Sequence, residues 1–136
     1  MTCLLVAVNA RYSHSCLAQY AIKKACKEQK IPVMTQQWSI IKPLEERREE
    51  ILAVKPELIA FSCYIWNIEQ TRALCADLKK ARPEMKICLG GPEVSFDGPR
   101  FAVENSWADF IICGEGEYAF YRLCQIMDSG EDLFYT

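Results

Sequence analysis

A chain of 136 residues with a net charge of -2, half of it apolar and a quarter charged, has the length of one domain and enough apolar material for a true core. That balance gives no electrostatic reason to expect nucleic acid or an anionic membrane as a partner, and no apolar run approaches the ~20 residues that cross a bilayer. The start Met1-Thr2-Cys3-Leu4-Leu5-Val6 lacks the charged opening of a signal peptide, so a cytoplasmic protein is expected.

The first predicted element is a strand, the continuous apolar run Cys3 to Asn9. A helix is expected next, capped by Ser13 or Ser15, with Leu17, Ala18, Ala21, Ile22 and Ala25 on one face. Pro32 to Trp38 alternates less cleanly and reads as a second strand at an edge, where proline is tolerated. Pro43 suits the first turn of a helix running to Val54, whose solvent face is Glu45, Glu46, Arg47, Arg48, Glu49 and Glu50. Pro56 stops that helix, and Glu57 to Cys63 forms a third strand. Asn67 followed by Gln70 has the pattern of a capping box, opening a helix with a Leu74, Cys75, Leu78 and Ala81 stripe that ends at Pro83.

Lys86 to Leu89 is the fourth strand, ended by Gly90-Gly91 and a proline. Gly98-Pro99 opens a short helix that turns Phe101 and Ala102 inward, and Asp109 to Cys113 is the fifth strand. The last helix carries Tyr118, Ala119, Leu123, Ile126 and Met127 and frays near Ser129-Gly130. Strands alternating with helices imply an α/β fold with right-handed crossovers: a flavodoxin-like, doubly wound, five-stranded parallel sheet of order 2-1-3-4-5, with helices on both faces.

The eight cysteines, at 3, 16, 26, 63, 75, 88, 113 and 124, contain no C-x-x-C pair and no C-x-x-x-C-x-x-C triplet, and His14 has no cysteine at ligand spacing. They read as reduced thiols behaving as small hydrophobes, and no metal site is expected.

Four loops should converge at the carboxyl edge of such a sheet, where ligands of open α/β folds bind. They are Asn9-Ala10-Arg11-Tyr12-Ser13-His14, Ser62 to Asn67, Gly90 to Glu93, and Gly114 to Glu117. Gly90 and Gly91 have no side chain to keep a ligand off the backbone, Ser62 is small, and Tyr12, Tyr64 and Trp66 can wall a flat ligand. On this reading, Gly91→Leu fills the slot and leaves the fold intact, unless φ there is positive.

Other users of the fold fit poorly. A phosphoacceptor receiver needs an acidic pair after the first strand and an aspartate ending the third, where Asn9 and Ser62-Cys63 stand. A flavodoxin phosphate loop and a G-x-G-x-x-G turn are both missing after the first strand. No nucleophile, base and orienting group stand at workable spacing, so no catalytic residue is expected and the chain alone is not expected to be an enzyme.

Asn9-Ala10-Arg11-Tyr12-Ser13-His14-Ser15, Phe61-Ser62-Cys63-Tyr64-Ile65-Trp66-Asn67, Leu89-Gly90-Gly91-Pro92-Glu93-Val94 and Gly114-Glu115-Gly116-Glu117 together resemble the N-terminal cobalamin-binding domain of cobalamin-dependent radical S-adenosylmethionine proteins. The resemblance implies a corrinoid held over the carboxyl edge, with its nucleotide tail in the slot lined by Ser62, Gly90 and Gly91. It implies cofactor contacts from Asn9, Ala10, Arg11, Tyr12, Cys63, Tyr64, Trp66, Pro92, Glu93, Gly114, Glu115 and Gly116 as well.

It further implies residues 1–130 as the cobalamin domain and 131–136 as the start of a linker to a radical domain. That downstream domain would carry S-adenosylmethionine, a 4Fe-4S cluster and a small-molecule substrate, for methyl transfer or an oxidative cyclisation such as that of anaerobic Mg-protoporphyrin monomethyl ester cyclases. The full-length protein would then be a radical methyltransferase or cyclase. Many cobalamin domains carry Asp-x-His-x-x-Gly after the first strand; here Asn9 and Arg11 stand at the Asp and His places. The implied state is cobalamin that is both His-off and base-off. Two alternatives stay open: a flavodoxin-like interaction domain with a degenerate pocket and no corrinoid, or a different small ligand, such as a nucleotide, at the same edge.

Overall fold

The computed structural model describes residues 3–9, 34–39, 42–64, 67–95, 98–113 and 116–129, with 7–9, 39, 116–118 and 128–129 described by backbone alone. The expected first helix, with its Ser13, Ser15 and Leu17 to Ala25 face, lies outside these residues, as do Ala10, Arg11, Tyr12, His14, Trp66, Gly114, Glu115 and the 131–136 segment.

In chain order the elements are β1 (Cys3–Asn9), β2 (Met34–Ser39), α1 (Leu44–Val54), β3 (Leu58–Ser62), α2 (Ile68–Ala81), β4 (Lys86–Gly90), α3 (Pro92–Ser95), α4 (Gly98–Glu104), β5 (Phe110–Ile111) and α5 (Gly116–Ser129). The strands form one sheet of order β2-β1-β3-β4-β5, every pairing parallel. This is the doubly wound, flavodoxin-like arrangement that the alternation of elements predicts.

The central strands are apolar on both faces because both are covered. On one face, Leu4, Val6, Ile59, Phe61, Ile87 and Leu89 pack with Ile51 of α1, with Leu74, Cys75 and Leu78 of α2, and with Val94 of α3. On the other, Cys3, Leu5, Leu58, Ala60 and Cys88 pack against Phe120, Leu123 and Cys124 of α5. The two sets alternate along each strand, as the pleat requires. Each fully buried leucine or isoleucine contributes on the order of 1.5–3 kcal/mol relative to exposure.

Several details depart from the sequence reading. Arg47 is not on the solvent face of α1; it is buried, and its guanidinium donates to Gln70 Oε1 at 2.7 Å. Burial lowers its pKa. Gln70 is thereby tied to α1. Ala81 and Ala102 are exposed, while Phe101 is half-buried and meets Trp107 edge-on at 6.3 Å. The fifth strand shrinks to Phe110–Ile111, as suits a sheet edge, although Asp109 N–H and Ile112 N–H still donate to Ile87 O and Leu89 O. Phe120 and Cys124, absent from the expected stripe of α5, are the most buried of its described side chains.

Candidate functional site

Parallel pairing puts the ends of β3 and β4 side by side at the carboxyl edge, with Ser62 opposite Gly90. Both are small. Ser62 is 9% exposed and Gly90 is half-buried. A Cβ built on Gly90 would meet nothing closer than Ile112 O at 3.8 Å, an ordinary contact. A methyl group would therefore fit at Gly90 beside Ile112, and small residues end both strands.

Gly91 is a different case. Its φ is +100°, and a Cβ there would stand 2.5 Å from Cys63 O and 2.8 Å from Cys63 N. What lies against Gly91 is this chain's own loop after β3. The expectation that Gly91→Leu fills a ligand slot in an intact fold is thus corrected: any side chain at 91 collides with backbone in a conformation that disfavours L-residues.

The loops after β3 and β4 are stitched together through Cys63. Its N–H donates to Gly90 O at 2.7 Å, and its carbonyl accepts from Glu93 N–H at 3.2 Å. Gly91 O accepts from Val94 N–H, Ser95 N–H and the Ser95 hydroxyl, which curls Pro92–Ser95 into the single helical turn α3. Pro92 opens that turn, a place where a missing N–H costs nothing.

Cys63 itself is fully buried. Burial first, and the Glu93 carboxylate second, push its thiol up to about 12, so it stays protonated and offers no thiolate. Cys75 and Cys88 are buried and likewise raised, chiefly by desolvation. Cys3, Cys63, Cys75, Cys88 and Cys113 are free thiols, and Cys3 Sγ lies 3.3 Å from Cys124 Sγ. Among the described residues no group of three or more His, Cys, Asp or Glu could hold a metal ion.

Of the sequence-selected residues, the structure brings Ser62, Cys63, Tyr64, Gly90, Gly91, Pro92 and Glu93 to one edge. Pro92 and Glu93 are exposed there, and Tyr64 is half-buried. Gly116 opens α5, following β5 in the chain, and Asn9 ends β1 with only its backbone described.

Asn67 was legible only as a cap. Its side chain makes no cap to α2; Oδ1 accepts from Tyr64 N–H at 2.9 Å, and Nδ2 donates to Ser62 O at 3.0 Å. An asparagine just before a helix suits an N-cap equally well, and its neighbours in sequence do not reveal that Ser62 and Tyr64 bond to its side chain.

The B12 binding domain family model matches residues 4–124. The chain belongs to the B12-binding domain family. It is 31% identical over 84 residues to the cobalamin-dependent radical SAM methyltransferase TokK of Streptomyces tokunonensis, a match spanning 62% of this chain and 12% of that protein. It is 30% identical over 89 residues to the anaerobic magnesium-protoporphyrin IX monomethyl ester cyclase of Rubrivivax gelatinosus, spanning 63% of this chain and 16% of the cyclase. Among solved structures, the cobalamin-dependent S-adenosylmethionine radical enzyme OxsB, with aqua-cobalamin and S-adenosylmethionine bound, superposes with a TM-score of 0.80. That match has 17% identity and covers 97% of this chain and 19% of OxsB, so it establishes likeness of fold. Among the described residues no helix is long and apolar enough to cross a membrane.

Proposed function

We propose that this chain holds cobalamin over the carboxyl edge of its sheet and presents it to a radical S-adenosylmethionine domain further along the same polypeptide. The observation that carries the reading is the pair of small residues, Ser62 and Gly90, at the adjoining strand ends, beside a rim stitched through Cys63, in a chain of the B12-binding family. Ser62 and Gly90 would admit the nucleotide tail. Tyr64, Pro92 and Glu93 would border the corrin, with Gly91 and Cys63 supporting them from within. Asn9, Ala10, Arg11, Tyr12, Trp66, Gly114, Glu115 and Gly116 complete the proposed contact set.

When bound, cobalamin supplies a cobalt centre able to carry a methyl group. Residues 1–130 form the cobalamin domain in this proposal, and 131–136 begin the linker. S-adenosylmethionine, the 4Fe-4S cluster and a small-molecule substrate belong to the downstream domain, with methyl transfer or oxidative cyclisation as the reaction. The names of the curated relatives support that pair of reactions. Cobalt is proposed to be held His-off and base-off, because Asn9 and Arg11 stand where many cobalamin domains carry Asp and His. Binding and a base-off spectrum that are unchanged in His14→Ala check that point.

Mixing the chain with hydroxocobalamin and separating bound from unbound by gel filtration tests the reading. A pink protein fraction with a base-off spectrum is expected; a colourless protein overturns it. One observation favours a second reading. Gly91 is demanded by Cys63 and not by any ligand, as it would be in an interaction domain that keeps the turn and holds no corrinoid. The same separation decides between the two.

A further inference from the structure

We infer that Asn67 is a positioning residue for the corrinoid, setting the loops after β3 and β4 in their binding geometry without touching the ligand itself. The inference rests on the cobalamin reading above. Asn67 is 1% exposed, and both ends of its amide are engaged. Its partners fix which end is which: the Tyr64 N–H can only donate and the Ser62 carbonyl can only accept. The residue also donates its own N–H to Tyr64 O at 3.1 Å, so Tyr64 is tied to Asn67 through both its N–H and its carbonyl.

The two side-chain bonds fall on either side of Cys63, on Ser62 and on Tyr64. Cys63 in turn carries the two backbone bonds to Gly90 O and Glu93 N–H, and its backbone fills the space beside Gly91. A contiguous chain of bonds therefore runs from the Asn67 amide through Cys63 to the Gly-Gly-Pro-Glu turn. Moving Asn67 shifts Tyr64 and Glu93 together, on the two loops that border the proposed cofactor.

A carboxyl at position 67 gives a switchable test. Ionised, Asn67→Asp can still accept from Tyr64 N–H but faces the Ser62 carbonyl with a second acceptor, so the loop bond is lost. Protonated, it is nearly isosteric with the amide and donates to Ser62 O as Asn67 does. Burial favours the neutral acid, so its folded pKa is raised, and the native loop returns as pH falls.

The experiment is a visible-spectrum titration with methylcobalamin at pH 8 and pH 5.5, on the unsubstituted chain, Asn67→Asp and Leu78→Ala. Leu78 is fully buried in α2, outside the rim loops, and its truncation serves as a control for lost stability alone. Circular dichroism confirms folding at each pH. Expected is similar binding by the unsubstituted chain and Leu78→Ala at both pH values, with Asn67→Asp at least tenfold weaker at pH 8 and recovering at pH 5.5.

Equal binding by Asn67→Asp and the unsubstituted chain at pH 8 overturns this inference alone. No binding by the unsubstituted chain overturns the cobalamin reading, and this inference with it. If Asn67→Asp does not fold at pH 8, amide hydrogen exchange on the unsubstituted chain decides. Added protection at the Cys63, Tyr64 and Glu93 amides on methylcobalamin binding supports the role, and protection confined to other amides overturns it.

Discussion

At the amino edge of the sheet, charged side chains do the fastening. The Asp109 carboxylate accepts from Lys79 Nζ at 2.7 Å and from Ile87 N–H at 2.8 Å, while Lys79 also donates to Met85 O at 2.8 Å. One ion pair thus ties α2, the start of β4 and the approach to β5. At the carboxyl edge the corresponding fastening is made by backbone groups and one neutral amide: Cys63 to Gly90 and Glu93, Asn67 to Ser62 and Tyr64. The first edge spends its charged side chains on structure. Among the described residues the second is held by backbone and neutral groups, and Pro92 and Glu93 are exposed beside the small Ser62 and Gly90. An edge built that way can accept a large ligand without giving up its own hydrogen bonds.

The sharpest way to break this contrast is Gly91→Ala. A methyl group meeting Cys63 backbone in a positive-φ conformation should cost about 3 kcal/mol or more, read as a lowered urea midpoint. Unchanged stability would mean that the β3 and β4 loops are not held against each other. Next comes Asp109→Ala, which removes a carboxylate that is 20% exposed and leaves Lys79 and Ile87 N–H without it. A loss of about 2–3 kcal/mol is expected from the same denaturation experiment, with cobalamin affinity preserved once the protein is folded.

Alkali should loosen the core through the buried thiols. The folded Cys63 thiol is pushed up to about 12, so below the unfolded value of ~8.5 both states are protonated and nothing is lost. As pH rises from there toward 12, the unfolded chain alone releases the proton, and stability falls by about 1.4 kcal/mol per pH unit for that thiol. Cys75 and Cys88, raised in the same direction, add to the slope. Urea midpoints at pH 7 and pH 10 measure the fall, and Cys63→Ser should flatten it. The smallest stability change is expected of Gly90→Ala, whose methyl makes only ordinary contacts, at under about 1 kcal/mol. Its effect should fall instead on cobalamin affinity, which separates a ligand-side glycine from the structural Gly91.

Strand order was legible because continuous apolar runs such as β1, β3 and β4, alternating with helices, imply a doubly wound parallel sheet buried on both faces. The carboxyl-edge loops were legible as places, from the strand ends and the glycines. Their internal bonding was not. Gly91 and Gly90 look alike in sequence, yet a Cβ would collide with a neighbour's backbone only at Gly91. Arg47 sits in a run of charges that reads as a solvated face; its burial depends on Gln70 arriving from another helix. Asn67 presents the pattern of a cap, and its true partners depend on the path of Tyr64. In each case the deciding contact is non-local or depends on a loop path that hydrophobic patterning does not encode.

The most direct measurement is amide-resolved NMR of the chain titrated with methylcobalamin. Shifts are expected at Ser62, Cys63, Tyr64, Gly90, Gly91 and Glu93, with Ile87 and Asp109 at the amino edge unmoved. Shifts centred on Ile87 and Asp109, or none at either edge, would contradict the assignment of the carboxyl edge as the cobalamin site.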